Sequence, residues 1–185
     1  MRLSKLILRL WGWRVSVSVP DYPKSIICVA PHTSNWDFIL GKLAYASIGR
    51  KAGFLMKKWW FFWPLGPIFR WMGGIPVGST PAVSLTALLI DRFRTSDRLN
   101  IAITPEGTRS RTARWHTGFL HVAFEAGVPI TLASIDFPSK QISMHKTFYP
   151  TGDVKADMLA IKEYYRPFTG RYPDKFTTES DPDGN

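Results

Sequence analysis

Twice in this chain a short apolar run with the character of a buried strand stops at a proline. Each then passes into a loop crowded with chemistry-bearing side chains. The first run, residues 26–31, closes on Ala30-Pro31 and leads through His32-Thr33-Ser34-Asn35-Trp36-Asp37 into residues 38–46, which read as a helix. The second, residues 99–104, alternates as a strand does and leads through Pro105-Glu106-Gly107-Thr108-Arg109-Ser110-Arg111, where Pro105 and Gly107 force a turn. Further strand-like stretches lie at 75–77, 129–135 and 141–148; residues 52–56 are an apolar run, followed by an aromatic segment and a short helix that end at Gly73-Gly74. Helices are expected over about 34–48, 81–96, 118–126 and 153–165, the last with Ala156, Leu159, Ala160 and Tyr164 partly in register. Strands alternating with helices predict a single layered α/β domain, its sheet mostly parallel or mixed and flanked by helices. The expected divisions are an N-terminal amphipathic helix and turn over 1–22, the domain over 23–170, and a polar tail over 171–185.

His32 and Asp37 are five residues apart, which on one continuous helix would point them roughly 140° apart. The histidine is therefore expected outside the helix, with Ser34 as N-cap and Asp37 at the third helical position, its carboxylate turned back toward the loop. There Asp37 can orient one imidazole nitrogen and leave the other free as a base. The same residues also make a capping box, with His32 an ordinary loop histidine. The second loop has a similar pair of readings. Gly107 allows close backbone approach and Arg109, Arg111 and nearby Arg114 can bind an anion through guanidinium forks; or the loop is a solvated polar turn. In open α/β sheets ligands collect beyond the carboxyl ends of strands, so parallel neighbouring strands would bring His32 and Arg109 to one cleft.

Taken together, the two motifs resemble those of the glycerolipid acyltransferase family, best known for its 1-acylglycerol-3-phosphate acyltransferases. The family's first motif, a His and an Asp separated by four residues, matches His32 to Asp37. Its third, typically Phe-Pro-Glu-Gly-Thr-Arg-Ser, matches residues 104–110 with Thr104 in place of Phe. Its fourth, a proline between apolar residues, matches Val128-Pro129-Ile130, and the apolar part of its second matches Gly73-Gly74-Ile75-Pro76-Val77. The resemblance implies an α/β fold and transfer of an acyl group to a glycerolipid hydroxyl, with His32 and Asp37 catalytic. It implies acceptor binding by Glu106, Gly107, Thr108 and Arg109, with Arg111 a further contact. Two departures touch the acceptor. Gly78-Ser79 stands where the second motif normally ends in an arginine that helps hold the acceptor's phosphate, and His116 stands where close relatives tend to carry lysine.

Direct transfer from an acyl thioester of coenzyme A or acyl carrier protein needs no other cofactor. No Gly-x-Ser-x-Gly elbow marks a serine nucleophile. Backbone N–H groups near the helix start are candidate oxyanion donors. No metal site is expected, since His32, His116, His121 and His145 lack ligand spacing. Cys28, the sole cysteine, is expected to pack as a small hydrophobe.

The chain has 185 residues and a formal net charge of +10, which favours anionic partners. A lipid acceptor, an anionic membrane surface and an acidic carrier protein all qualify. A nucleic-acid-binding module, a thioesterase and an inactive lipid-binding relative are the rival classes. Nucleic acid is not expected, because that class leaves the His-Asp spacing unexplained. No run approaches the roughly 20 apolar residues that span a bilayer, and the N-terminus lacks a signal-peptide pattern. Leu3, Leu6, Ile7, Leu10 and Trp11 fall on one helical face flanked by Arg2, Lys5 and Arg9, and Lys57-Lys58-Trp59-Trp60-Phe61-Phe62-Trp63 joins lysine to aromatics. Each suits a membrane surface, with Lys57 and His116 as possible substrate or membrane contacts, and each could instead pack into the core. The implied location is peripheral, at the cytoplasmic face of a membrane.

Overall fold

The computed structural model describes residues 2–77 and 82–179. In chain order its elements are α1 (Arg2–Leu10), β1 (Arg14–Val17), β2 (Lys24–Ala30), α2 (Asn35–Ser47), β3 (Gly53–Lys57), α3 (Leu65–Trp71), β4 (Gly74–Val77), α4 (Ala82–Thr95), β5 (Leu99–Ile103), α5 (Gly118–Ala126), β6 (Ile130–Asp136), β7 (Gln141–Phe148) and α6 (Val154–Tyr165). Short 3-10 turns cover Lys58–Trp60 and Pro173–Lys175. The seven strands form one sheet in the order β1-β7-β6-β2-β5-β3-β4. Every neighbouring pair is parallel except β6 with β7, so the sheet is mixed.

β2 lies at the centre, Ile26 opposite Ile101 of β5 on one side and Ile130 of β6 on the other. A strand buried on both faces must be apolar throughout, which explains its unbroken run. Successive side chains serve opposite layers. Ile26, Cys28 and Ala30 pack with Leu89 and Phe93 of α4, Leu120 of α5, and Ile161 and Tyr165 of α6. Ile27 turns to the other face, where Leu40 and Ala44 of α2 and Leu8 of α1 are also buried. Burial pushes the Cys28 thiol well above its usual range, as expected of a cysteine that acts as a small hydrophobe. Tyr165 pins α6 to the sheet, its hydroxyl donating to Cys28 O at 2.6 Å and Ala133 O at 3.3 Å.

The chain leaves β2 for β3, beyond β5, and leaves β5 for β6, on the far side of β2. The two connections diverge, making the carboxyl ends of β2 and β5 a topological switch point, the ordinary place for a ligand crevice in such sheets.

Three expectations need correction, and one alternative is set aside. The region before residue 22 is more than a helix and turn: Val15 and Val17 alternate with Ser16, and β1 pairs in parallel with β7. α6 buries Asp157, Met158, Ile161, Lys162 and Tyr165, one position away from the expected face. The polar tail is packed as far as Glu179, because Phe176 joins the core and Lys162 Nζ donates to Ala113 O and Glu179 O, each at 2.7 Å. Packing of the apolar α1 face into the core is not what the fold does either. Leu8 alone is buried, while Leu3 and Leu10 are 70% and 75% exposed. The aromatic segment is likewise open, Trp63 and Trp71 being 84% and 87% exposed. Among the described residues no helix is long and apolar enough to cross a membrane.

The orientation of α1 separates two substitutions. Leu8→Ala should cost about 2–4 kcal/mol of unfolding free energy, as burial loss and cavity combine. Leu6→Ser, on the open face, should stay within about 0.5 kcal/mol of wild type. Urea unfolding of the two variants checks this, and equal losses would reverse the assignment of faces.

Candidate active site

β2 hands the chain to Pro31, and α2 starts at Asn35 after an extended N-cap, Ser34 (φ −151°, ψ 165°). Asp37 stands at the third helical position and folds back as its spacing requires. Its Oδ2 accepts from Thr33 N–H at 2.8 Å and Ser34 N–H at 2.7 Å, and its Oδ1 from the Ser34 hydroxyl at 3.1 Å. The same Oδ2 lies 3.3 Å from His32 Nδ1. The two readings of this segment therefore coexist: one carboxylate closes the helix and faces the imidazole. Nδ1 is buried and, although close to Oδ2, has no hydrogen-bond partner among the described residues, while the His32 side chain keeps 19% of its surface open.

β5 ends beside β2, and its loop reaches back to the histidine. Gly107 N–H donates to Thr104 O at 3.1 Å, closing the turn, and Gly107 takes φ +64°, where a side chain would be strained. Glu106, 5% exposed, accepts from His32 N–H through Oε1 at 2.9 Å. Its Oε2 is buried with no partner among the described residues. Removal from water pushes the Glu106 carboxyl up to about 8; the His32 N–H opposes the rise and the nearby Asp37 charge adds to it. Arg109 Nη1 donates to Asn35 Oδ1, a second tie between the loops. The sequence marks Asn35 by one signal alone, a polar side chain at the first helical position.

The remaining expected residues divide. His116 belongs here: its N–H donates to Pro105 O at 2.7 Å, and its ring lies where a Gly107 side chain would go. Thr108 serves its own loop, accepting from Ser110 N–H at 3.2 Å. Arg111 turns to the C-terminal segment, with Nη2 3.1 Å from Glu179 Oε2 and Nη1 3.4 Å from Phe176 O. Lys57 is exposed at the carboxyl end of β3, on the same edge of the sheet. Gly78 and Ser79 lie outside the described residues. Of the backbone N–H groups near the helix start, those of His32, Thr33 and Ser34 are taken by Glu106 and Asp37. Among the described residues no three His, Cys, Asp or Glu side chains gather as metal ligands.

Comparison with known proteins agrees with this architecture. The sequence matches the Acyltransferase family model over residues 15–135, more than half of its length, and the chain belongs to that family. The fold is similar to the crystal structure of the 1-acyl-sn-glycerophosphate acyltransferase PlsC from Thermotoga maritima, with a TM-score of 0.60 and 18% identity over 91% of this chain and 79% of that one. No curated protein matches the sequence.

Glu106 makes stability depend on pH. Its carboxyl holds a proton up to about 8 in the fold against an ordinary 4.5, so the native state binds more protons between those values. The stability this group supports is complete below about 4.5 and is lost as pH rises through 8. Glu106→Gln keeps an acceptor for His32 N–H and removes the titration. The variant's melting temperature should gain on wild type steadily from pH 5 to about 8.5, and a constant difference across calorimetric scans would contradict the assignment.

Proposed function

We propose that this acyltransferase moves a fatty acyl group from a thioester of coenzyme A or acyl carrier protein to a lysophospholipid hydroxyl, with 1-acylglycerol-3-phosphate the favoured acceptor. The observation that carries the proposal is the coupling of the His32–Asp37 pair to the Glu106–Arg109 loop at the ends of two adjacent parallel strands. The acceptor class is supported by the similar fold of the Thermotoga maritima enzyme and by the guanidinium of Arg109 beside the histidine turn.

In the mechanism, Asp37 orients the imidazole through Nδ1, leaving Nε2 to take the proton of the acceptor hydroxyl. The oxygen attacks the thioester carbonyl. The new C–O bond forms, the C–S bond breaks, and the proton passes from Nε2 to the departing thiolate. Glu106 holds the backbone of His32 in place, and Arg109 holds the acceptor's phosphate by a charge-assisted contact. Substrates of this class sit in membranes. The open α1 face with its basic flanks, and the exposed aromatics after Lys57 and Lys58, suit reversible contact with an anionic surface on the cytoplasmic side.

The direct test is incubation with labelled acyl-coenzyme A and a panel of lysophospholipids. His32→Ala should lower transfer by about 10²–10⁴ while the fold persists. Asp37→Asn should lower kcat more than it raises KM and, because the carboxylate also caps α2, destabilise the protein by about 1 kcal/mol. Full turnover per folded molecule in the Asn variant would make Asp37 a cap alone. Arg109→Ala should impair a phosphate-bearing acceptor more than a neutral monoacylglycerol. Fatty acid release that is indifferent to added lysolipid would make the protein a thioesterase.

Membrane contact has its own check. Binding to anionic vesicles should weaken with salt, since surface charge is screened over about 8 Å at 0.15 M ionic strength. Replacing the exposed Leu3, Leu6 and Leu10 together by serine, with the buried Leu8 kept, should reduce vesicle binding; binding equal to wild type would exclude α1 as the contact.

A further inference from the structure

The turn that carries His32 is held from a second side by chain that arrives after α6. Thr169 fastens this segment to the end of β6, its N–H donating to Asp136 Oδ1 at 2.9 Å and its carbonyl accepting from Phe137 N–H at 3.0 Å. Gly170 then runs directly against the histidine turn. A Cβ at residue 170 would stand 2.7 Å from both Thr33 Cγ2 and Thr33 Oγ1, and 3.1 Å from Pro31 Cβ. Real Cβ contacts are never so short, so glycine is required here for space and not for a left-handed backbone. Two residues on, Tyr172 N–H donates to Thr33 Oγ1 at 3.2 Å. Between them the Arg171 guanidinium lies 5.5 Å from the centre of the Trp36 ring, in the first turn of α2.

Thr33 is the hub of these contacts. It is 1% exposed, its N–H goes to Asp37, its hydroxyl to Tyr172, and its methyl abuts Gly170. Its chain neighbours are His32 and Ser34, the donors to Glu106 and Asp37. A push on Thr33 therefore displaces the imidazole and its carboxylate together. Residues 169–172 lie outside the family match at 15–135, and no sequence motif marks them.

We propose that residues 169–172 are a positioning element of the acyl-transfer site, with Gly170 and Tyr172 setting the place of His32 through Thr33. The proposal rests on His32 as the base in the reading above. A misplacement of about 1 Å can cost on the order of 10² in rate without touching substrate affinity.

The test uses the full chain carrying Gly170→Ala, Thr33→Ser, both together, or Thr33→Val. Thr33→Ser removes the methyl, one of the two Thr33 atoms in the way, and keeps the hydroxyl on a side chain that, without the β-branch, can turn aside. Thr33→Val removes the acceptor of Tyr172 N–H without steric load, and serves if Gly170→Ala does not fold. Per folded molecule, Gly170→Ala should lower kcat by about 10- to 100-fold with KM for either substrate within about threefold. Adding Thr33→Ser should restore kcat several-fold, and Thr33→Val should lower it by itself. The imidazole nitrogen NMR signals of His32 should move in Gly170→Ala and stay put in Leu6→Ser.

A merely structural contact would lower melting temperature and leave kcat per folded molecule, the serine rescue and the His32 signals unaffected; that result overturns the proposal. The NMR signals need no substrate. If wild type acylates no acceptor, the acyl-transfer reading fails, while shifted or unshifted His32 signals still decide whether this segment positions the ring.

Discussion

The hydrogen bond from His32 N–H to the buried Glu106 carboxyl joins the protein's two polar loops. A carboxyl taken out of water without a counter-charge is costly, and the cost falls when it keeps its proton and finds a donor. Raised to about 8, Glu106 does both near neutral pH. The bond exists because β2 and β5 are parallel neighbours in a register, Cys28 opposite Ile103, that carries residue 32 past the sheet beside the loop holding Glu106. Central burial of β2, divergent connections and the meeting of the loops are thus one arrangement seen at three scales.

Asp37 shows how local folding and chemistry share a group. Three donors from Thr33 and Ser34 hold its carboxylate at the start of α2, with the imidazole nitrogen 3.3 Å from the same oxygen that accepts from the two backbone N–H groups. Helix capping is worth about 1 kcal/mol. A helix start that stabilises itself in this way gives a pre-oriented carboxylate without separate buttressing. The same economy occupies the N–H groups of Thr33 and Ser34.

What could be read from the sequence was short in range. Residues 26–31 and 99–104 declare strands by composition and alternation, and the His32–Asp37 spacing defines a loop-plus-cap geometry. β1 was missed although Val15 and Val17 alternate with serine, because its partner β7 lies more than a hundred residues away. The face of α6 was misjudged because Met158, Ile161 and Tyr165 compete with Ala156, Leu159, Ala160 and Tyr164 as apolar sets, and packing chose the set that buries Asp157 and Lys162. Arg111 looked like a ligand of the site, but its partner Glu179 is 68 residues away. The approach of Gly170 to Thr33 likewise has no local pattern to betray it.

The order in which these parts leave a ribosome gives the architecture a temporal side. The histidine turn is made early, yet Tyr172, which bonds Thr33, follows it by 139 residues. At 5–20 residues per second that interval is on the order of ten seconds. Throughout much of it β2, apolar from Ile26 onward, has two vacant edges, because β5 and β6 have yet to emerge. Such a strand invites mispairing. A nascent chain of this kind therefore needs shelter for its central strand, and the hold on Thr33 closes only near the finish of the domain.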